Sequence, residues 1–567
     1  MITVAETLQD RLRSALRTLG LPVDGSIQVV PAADPRFGDY QTNAAMVLGK
    51  ERKENPRVLA NRIAESIDVR GISKPPQIAG PGFINFTLEK DFVASQVVSA
   101  HGDVRLGVST TGDPKTLIIE FSSPNIAKPM HVGHIRSTVL GDVLARVARF
   151  TGHTVITDNH LGDWGTQFGK VIYGWKNRRD EAALANHPVD ELVRLYRAAD
   201  AAAREDPAIL DACRNELIKL QQGDPENIAI WQKCIQLSQT EFAGIYRMLG
   251  VEFDQQLGES FYNPDLAAAV ERLLKSGIAE WSEGAVVVWD RDLSSAPFMV
   301  RKSDGGFGYA TTDVATLEYR VRRWDPDGIW YVVGAPQQLH FQQLFSLARK
   351  LGIKADLQHV SFGSILGEDR KLMRTRSGES VPLKELLEEA VARAKALVIE
   401  KNPELDPDEV EQIGRIVGIG AIKYTELSQH RLTDYVFSWS KMLSFQGNTA
   451  PYLQNAYVRS RSIFRKLKEQ FQPPARVRLV EPAEERLAKK LLQLGEVVPA
   501  VLDGFRPNVL ANYLYELAAE YHVFYEQCPV LSAEPGLRDE RLLLSDLFAR
   551  TLKLGLQLLG IEAPERM

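Results

Sequence analysis

The sequence predicts a multidomain α/β protein with a parallel sheet in its central domain. Its 567 residues are enough for roughly three or four domains. Apolar runs at 116–121 and 154–159 indicate strands on either side of a segment with helical spacing, 134–150. Strand, helix and strand in this order and at this length are typical of a Rossmann-like sheet.

A small α+β domain is predicted ahead of the sheet domain, and an all-α domain after it. Residues 1–108 combine a helical stripe with the alternating strand GFINFTL, which begins at Gly82. The polar segment VSTTGDPK marks the end of this domain. Residues 410–567 show mainly helical patterns and no further strand–helix alternation, so they are predicted to form a helical bundle.

The central domain, residues 109–409, contains a long interruption. Residues from about 175 to 290 are charged and helical in pattern, which predicts a helical insertion between two halves of the sheet. Three strand-like runs are expected to continue the domain, at 285–289, 328–334 and 359–366.

Composition is typical of a globular protein without a membrane span. The formal charge of −5 gives no general attraction to nucleic acid, so a polyanion would have to meet local basic patches. The three cysteines lie far apart and form no CxxC pair, which argues against a disulfide framework or a cysteine zinc site. No apolar run is long enough to cross a membrane. We therefore expect a cytoplasmic protein that contacts no membrane.

Two histidines open the helical segment after the first strand of the sheet. In EFSSPNIAKPMHVGHIRSTVLGD, His131 and His134 flank Gly133. The backbone N–H groups and the dipole at a helix start attract phosphate, and imidazoles can add hydrogen bonds to it. Gly133 would let a flat base approach the backbone. A capping histidine and a two-ligand metal site are the alternatives, and the location after this strand favours phosphate.

The histidine motif resembles the His-Ile-Gly-His signature of class I aminoacyl-tRNA synthetases, with valine in place of isoleucine. Five separated stretches narrow the resemblance to the arginyl-tRNA synthetase family: EFSSPNIAKPMHVGHIRS, DNHLGDWGTQFG, YATTDVA, YVVGAPQQLHFQQLF and GNTAPYLQNAYVR. They occur in the family's order, and the resemblance extends from FGDYQTNAAM to the final LGIEAPERM.

The resemblance implies activation of L-arginine by ATP and its transfer to tRNA-Arg. It implies Mg²⁺ that arrives with the nucleotide and no fixed metal site in the protein. We further expect a monomer. Two alternatives stay open at this point, namely a class I synthetase for another amino acid and a non-catalytic tRNA-binding relative. An acidic and amide-rich pocket argues against the first, and retention of both histidines argues against the second.

An arginine substrate needs acceptors, because its guanidinium is permanently charged and carries five N–H donors. Tyr309 and Asp313 share a face if their segment is helical. Gln337 follows a strand, and Glu120 and Asn125 lie at the end of the first strand. The resemblance assigns Tyr309, Asp313 and Gln337 to the substrate side chain. It assigns Ser123, Asn125 and His134 to the substrate backbone and reacting centre. Glu120 and Pro124 are also predicted to bind arginine. Each alone could be an ordinary surface polar residue.

The second class I signature, Lys-Met-Ser-Lys-Ser, is not present as such. The corresponding segment is EDRKLMRTRSGES, in which Lys371, Arg374 and Arg376 supply cations that are predicted to meet the ATP phosphates. A solvated loop is the alternative. Lys128, three residues before His131, is predicted to supply part of the missing positive charge and to act with His131, Gly133 and His134 in catalysis. A solvent-exposed turn lysine is the alternative for that residue.

Two segments are predicted to contact tRNA. YVRSRSIFRKLK carries basic residues without an intervening acid and interleaved aromatic rings, which suits base stacking, although it could also be an ordinary basic helix face. With the preceding family motif, it contributes Asn448, Tyr452, Tyr457, Arg459, Arg461, Arg465 and Lys466. In the N-terminal domain, the resemblance implies that Phe37, Gln41 and Asn43 contact the tRNA elbow.

Overall fold

The computed structural model forms two compact units. One contains Met1–Thr110, Phe445–Leu558 and Glu562–Met567, and the other contains Thr111–Ser444 and Leu559–Ile561. The structure describes residues 2–23, 27–32, 34–374, 380–467 and 469–567.

The N-terminal segment is an α+β domain, as predicted. Its elements are α1 (Val4–Thr18), β1 (Val29–Pro31), β2 (Tyr40–Thr42), α2 (Ala44–Arg52), α3 (Pro56–Ser66), β3 (Gln77–Ala79), β4 (Phe83–Phe86) and α4 (Lys90–Gly102). The strands form an antiparallel sheet in the order β1-β2-β4-β3. A capping box between Thr3 and Glu6 starts α1, whose buried face includes Leu8, Leu12 and Leu16.

The middle segment holds the Rossmann-like sheet. Its elements are β5 (Thr116–Glu120), α5 (Val132–Phe150), β6 (Thr154–Asp158), α6 (Gln167–Arg178), α7 (Glu181–Asn186), α8 (Pro188–Glu205), α9 (Pro207–Gln221), α10 (Pro225–Leu249), α11 (Asn263–Lys275), β7 (Glu280–Ser282), β8 (Ala285–Val288), β9 (Phe298–Arg301), α12 (Tyr309–Trp324), β10 (Gly328–Tyr331), α13 (Gln338–Lys350), β11 (Asp356–His359), β12 (Ile365–Leu366), α14 (Leu383–Lys401), α15 (Pro407–Ser428), β13 (Tyr435–Val436) and α16 (Trp439–Met442).

The main sheet is parallel in the order β11-β10-β5-β6. His359, Tyr331, Glu120 and Asp158 are register partners in its last row, so all four strands end together. β5 and β10 are almost wholly buried, in accord with their apolar sequences. α5 ends at Phe150 and is followed by Gly152 at φ 98°, a left-handed conformation that glycine adopts readily at helix ends.

Two predicted strand runs have different partners from those expected. The run at 285–289 forms β8, which belongs to a separate antiparallel sheet in the order β7-β8-β9. The run at 359–366 is divided between β11 and β12, because residues 360–364 leave the sheet. β12 pairs instead with β13 in a two-stranded parallel sheet. The helical insertion extends from α6 to α11, and the strands of the antiparallel sheet begin before its predicted end at about 290.

The predicted boundary at 409/410 also differs from the observed division. It falls within α15, which packs against α14 in the unit that contains Thr111–Ser444. Gly418 permits the close crossing, since a Cβ there would lie 2.7 Å from the carbonyl oxygen of Ala390. The helical part of the other unit therefore begins after Ser444.

The C-terminal segment is all-helical, as predicted. Its helices are α17 (Ala450–Lys466), α18 (Pro482–Leu492), α19 (Leu494–Ala500), α20 (Pro507–Gln527) and α21 (Pro535–Leu558). Among the described residues, none of the helices has the length and apolar character required to traverse a lipid bilayer.

Candidate active site

His131 and His134 lie together at the N-terminus of α5, where His131 caps the helix. Nδ1 of His131 accepts a hydrogen bond from the Gly133 N–H at 3.1 Å. Nδ1 of His134 accepts one from the His131 N–H at 3.0 Å. Since each Nδ1 is an acceptor, the proton of each neutral ring resides on Nε2. The Nδ1 atom of each ring is therefore used at the helix start, as the capping alternative proposes. The Nε2–H group of each ring remains as a hydrogen-bond donor.

Both histidines are neutral at physiological pH. Burial lowers the pKa of His134 to about 3, and the nearby His131 lowers it further. Burial also lowers the pKa of His131, and the positive charge of Lys128 adds to this effect. The pair can thus act as two uncharged hydrogen-bond donors. Lys128 is exposed, and its influence on His131 indicates that its charge is close to the ring.

Gly133 has a steric role that the sequence did not indicate. A Cβ at this position would lie 2.9 Å from two atoms of the His131 ring. Any side chain would therefore displace the ring from the hydrogen bond that fixes its tautomer. The absence of a side chain also leaves the helix N-terminus exposed at this point.

The turn between β5 and α5 is strained. Ser122, Ser123 and Ala127 have φ angles of 73°, 48° and 61°, which non-glycine residues rarely adopt. The Ser123 N–H donates to Oδ1 of Asn159 at 3.1 Å, which holds the turn against the end of β6. Oγ of Ser123 is buried and has no hydrogen-bond partner within the described ranges.

Pro124 and Asn125 continue this turn beside Gly162. The carbonyl oxygen of buried Pro124 accepts a hydrogen bond from the Gly162 N–H at 3.1 Å. A Cβ at Gly162 would lie 2.1 Å from Oδ1 of Asn125, so only glycine permits this approach. The exposed Asn125 amide is thereby kept at the carboxyl edge of the sheet.

Glu120 is not a free acceptor. It is 7% exposed, and its Oε2 lies 2.6 Å from Nη2 of Arg320, which is fully buried. The same Nη2 lies 2.7 Å from Oδ2 of Asp158. The sequence did not identify this ion pair, because its members are separated by 200 and 162 residues.

Tyr309 and Asp313 are placed as the helical spacing predicts. α12 begins at Tyr309, which is 71% exposed, and Asp313 follows one turn later. Oδ2 of Asp313 is hydrogen-bonded to Nε2 of His340 at 2.5 Å. Gln337 lies in an exposed 3₁₀ turn directly after the segment that leaves β10. His340 thus fixes the orientation of the Asp313 carboxylate.

Glu259 is an additional acidic residue at this site that sequence reasoning missed. Burial raises its pKa to about 8, with further contributions from the carboxylates of Asp313 and Asp163. The residue is held in place by its N–H, which donates to the carbonyl oxygen of Leu161 at 3.0 Å. It lies in a short 3₁₀ turn, Glu259–Tyr262, where no periodic pattern draws attention to it. A cluster of partly buried carboxylates is an environment that favours a cationic ligand.

The residues that follow the second signature segment are hydrogen-bonded to the start of α5 and the turn before it. The Val132 N–H donates to the carbonyl oxygen of Val381 at 2.9 Å, and the Leu383 N–H donates to that of Met130 at 2.8 Å. Lys371 and Arg374 border a cavity of about 710 Å³ together with Trp439. Arg376 falls outside the described residues.

A face of the helical segment combines aromatic rings with one arginine. Tyr452 of α17 lies 5.5 Å from Tyr515 and 5.1 Å from His522 of α20, measured between ring centroids. The guanidinium of Arg459 lies 5.6 Å from the ring centre of Tyr525. These rings are half-buried, so part of each is open to solvent. Beside them, Nδ2 of Asn448 donates to Oδ1 of Asn512 at 3.1 Å.

The rest of the predicted basic patch does not form one surface. Tyr457 is buried, and its hydroxyl donates to Glu565 at 2.9 Å, so it is not available for stacking. Arg461 forms an ion pair with Asp546 at 3.1 Å. Exposed Arg465 donates to the carbonyl oxygen of Glu565, and Lys466 is exposed. Partners distant in sequence thus redirect several residues of this helix.

Two of the three predicted contact residues of the N-terminal domain border the same cavity. Phe37 is 50% exposed, and Asn43 is also exposed. Gln41 and Asn43 border a shallow cavity of about 200 Å³ with Phe83.

Comparison with protein families matches three models along the chain. The model for tRNA synthetases class I (R), catalytic domain, matches residues 96–439. The DALR anticodon binding domain matches residues 453–567, and the arginyl tRNA synthetase N terminal domain matches residues 6–88. The start of the second match agrees with the observed division after Ser444 rather than with the predicted boundary at 410.

Relatives and solved structures match the chain over nearly its whole length. The arginine–tRNA ligase of Laribacter hongkongensis is 43% identical over 100% of both chains, and that of a Nostoc species is 45% identical over 95% of both. The arginyl-tRNA synthetase of Plasmodium falciparum superposes with a TM-score of 0.87 at 29% identity, covering 100% of both chains. That of Thermus thermophilus gives 0.84 at 26% identity, covering 99% of this chain and 100% of its own. The chain therefore belongs to the arginyl-tRNA synthetases, the class I ligases that couple arginine to tRNA.

Proposed function

We propose that the carboxylates around Glu259 bind the guanidinium of arginine while the start of α5 binds ATP. The observation that carries the assignment is the grouping of partly buried Glu259 with the carboxylates of Asp313 and Asp163, which together with burial raises the pKa of Glu259. A guanidinium placed there would relieve their repulsion and could form bidentate hydrogen bonds. Tyr309, Asp313 and Gln337 complete this part of the pocket. Glu120, Ser123 and Asn125 then face the ammonium and carboxylate of the substrate, with Pro124 supporting their turn.

The reaction proceeds in two displacements. A carboxylate oxygen of arginine attacks the α-phosphorus of ATP, the bond to the bridging oxygen breaks, and pyrophosphate leaves. A hydroxyl of the terminal ribose of tRNA-Arg then attacks the carbonyl carbon of the adenylate and displaces AMP. Neither step requires a covalent bond to the protein, so catalysis depends on positioning and on stabilisation of phosphate charge.

His131 and His134 act as neutral donors in the first displacement. Their Nε2–H groups can hydrogen-bond to the α-phosphate and the bridging oxygen, where negative charge develops. Gly133 keeps the His131 ring in place. The fixed tautomers remove the need for either ring to reorganise during the reaction.

The positive charge that meets the ATP phosphates comes from two parts of the chain. Lys128 approaches from the turn before α5, and Lys371 and Arg374 approach from the second signature segment, with Arg376 as a further candidate from the sequence. Enzymes of this class use ATP, generally with Mg²⁺. No group of three or more potential metal ligands occurs in the part of the chain that the structure describes. We assign no step to the ion.

The face formed by Tyr452, Arg459 and the α20 rings is proposed to bind anticodon bases. Half-exposed rings offer stacking platforms, and Arg459 can add a contact to a base or phosphate. Asn448 lies at its edge. Arg461, Arg465 and Lys466 can contribute only general electrostatic attraction. Phe37, Gln41 and Asn43 are proposed to meet another part of the tRNA.

ATP–pyrophosphate exchange with each of the twenty amino acids, with and without tRNA-Arg, tests the proposed function. We expect exchange with arginine alone among them. The alternatives of another class I specificity or of a non-catalytic relative receive no support from the comparisons. Exchange that depends on a different amino acid, or no exchange under any condition, would refute the proposal.

A further inference from the structure

One buried arginine connects the ends of three strands below the candidate substrate pocket. Arg320 lies on α12, two turns after Asp313, and is 0% exposed. It contacts Glu120 of β5 and Asp158 of β6 at 2.6 and 2.7 Å, and its guanidinium lies 5.6 Å from the ring centre of Tyr331 of β10. These three partners belong to the last register row of the sheet, whose fourth member is His359 of β11.

The charges in this cluster do not balance. Two carboxylates face one guanidinium, which leaves one negative charge in surplus. Oδ1 of Asp158 is buried and has no hydrogen-bond partner in the described ranges. Unpaired buried charge is costly, so the cluster is prepared to interact with one further cation nearby. The pocket above it would bring such a cation as the α-ammonium of arginine.

We infer that Arg320 is a positioning residue that sets the orientation of the bound amino acid. It occupies Oε2 of Glu120 and fixes that carboxylate so that its remaining hydrogen-bonding capacity faces the substrate ammonium. The substrate guanidinium is thereby directed to Glu259 and Asp313 at the other end of the pocket. The inference rests on the proposed arginine site and adds a residue that does not touch the substrate.

Two ligands that each lack one group of arginine separate orientation from general structural support. Agmatine retains the ammonium and the guanidinium but lacks the carboxylate, whereas 5-guanidinopentanoate retains the guanidinium but lacks the ammonium. Calorimetric titration would give the affinities of arginine, agmatine and 5-guanidinopentanoate for wild type and for Arg320→Lys. Lysine keeps the charge but replaces the rigid, planar guanidinium, whose Nη2 contacts both carboxylates, with a flexible ammonium group.

We expect Arg320→Lys to weaken the binding of arginine and of agmatine by about 10- to 100-fold, which is the range for the loss of one charge-assisted hydrogen bond. Affinity for 5-guanidinopentanoate should change by less than about twofold, because this ligand makes no use of Glu120. Arg322→Lys, on an exposed position of the same helix, is the matched control and should leave all three affinities unchanged.

Asp158→Asn provides a second variant should Arg320→Lys not fold. It removes the surplus charge, keeps the size of the side chain and should produce the same selective loss. An equal loss of affinity for all three ligands, or no loss of affinity for any of them, would overturn the inference. Failure of the wild-type protein to bind arginine would instead count against the proposed function, so the two outcomes can be distinguished.

Discussion

At the scale of single residues, the site depends on groups whose ionisation differs from the usual state. Glu259 is the clearest example, since burial and two carboxylates raise its pKa to about 8. In the free protein it is therefore mostly protonated at pH 7. A bound guanidinium would favour the ionised form, so arginine binding should release a proton from this residue.

Arginine affinity should consequently rise with pH. Below pH 8, where Glu259 must lose its proton on binding, affinity should increase by up to about tenfold per pH unit, and it should level off above pH 8. Calorimetry from pH 6 to 9, in two buffers with different ionisation enthalpies, measures both affinity and proton release. Glu259→Gln should bind more weakly and lack this dependence, whereas exposed Glu252→Gln should retain it. Wild-type affinity that is independent of pH would contradict the assignment.

Lys128 and Lys371 can be separated by their effects on adenylate formation. Removal of a phosphate contact that strengthens in the transition state should reduce the rate by about 10²–10³. We expect this loss for Lys128→Ala, with little change in the KM for arginine, and a smaller loss for Lys371→Ala. Pyrophosphate exchange measures both, and exposed Lys115→Ala is the control. A wild-type rate for Lys128→Ala would show that the cations of the second signature segment are sufficient.

Residues were predictable where the relevant partners are close in sequence. His131, His134, Tyr309 and Asp313 lie at helix starts or at helical spacing, and the structure places them as expected. Glu259 was missed because its position depends on a contact with Leu161, almost a hundred residues earlier. Tyr457 was misassigned for a similar reason, since the partner that buries its hydroxyl, Glu565, is 108 residues away.

At the scale of secondary-structure elements, α5 is connected to the second signature segment through a buried ion pair. Nε of Arg136 lies 3.1 Å from Oε2 of Glu426 on α15, and Nη1 donates to the carbonyl oxygen of Thr433 at 3.0 Å. Glu426 also accepts a hydrogen bond from the hydroxyl of Tyr435. Tyr435 belongs to β13, whose partner β12 leads into the loop of Lys371. The ion pair thus links the helix of the histidines to the base of this loop.

Replacing one partner of this ion pair should destabilise the protein strongly. Replacing the second partner as well should cause little further loss of stability. Arg136→Met should lower the free energy of unfolding of the unit that contains Thr111–Ser444 by about 3–5 kcal/mol, because it leaves Glu426 buried without its cation. In a Glu426→Gln background the same substitution should cost much less. Urea unfolding of wild type, both single variants and the double variant gives the coupling energy. Costs that simply add would show that the two side chains do not interact.

The strands show the limit of sequence patterns at this scale. The run at 359–366 is apolar enough to suggest one strand, but its second half forms β12 with a partner, β13, that lies some 70 residues further on. Apolar character predicts that a segment is buried and extended. It does not determine which neighbour supplies the hydrogen bonds, because that depends on long-range packing.

At the scale of the whole molecule, one compact unit is assembled from both ends of the chain. Glu496 of α19 accepts hydrogen bonds from the Ala5 N–H at 3.0 Å and from the Tyr40 hydroxyl at 2.9 Å, across 491 and 456 residues of sequence. The contact joins the N-terminal α+β domain to the C-terminal helices. Composition and periodicity cannot predict such a pairing, because they describe each segment separately.

Glu496 makes this contact sensitive to pH. Burial raises its pKa to about 7, although the hydrogen bonds from Ala5 and Tyr40 oppose the shift. The folded form therefore retains a proton between pH 4.5 and 7 that the unfolded chain has released. Its contribution to stability is complete below the unfolded pKa, declines as pH rises through this window and is fully lost above pH 7.

Glu496→Gln should accordingly stabilise the unit at high pH. The amide keeps an acceptor for Ala5 and Tyr40 but carries no charge, so the cost of ionising a buried carboxyl disappears. We expect a gain of about 1–3 kcal/mol at pH 8 and almost none at pH 4.5, where the native carboxyl is already neutral. Differential scanning calorimetry at both pH values measures the difference, with exposed Glu51→Gln as the control. A gain of equal size at both pH values would indicate that packing, rather than ionisation, distinguishes the two side chains. A loss at pH 8 would mean that the carboxylate itself stabilises the junction between the chain ends.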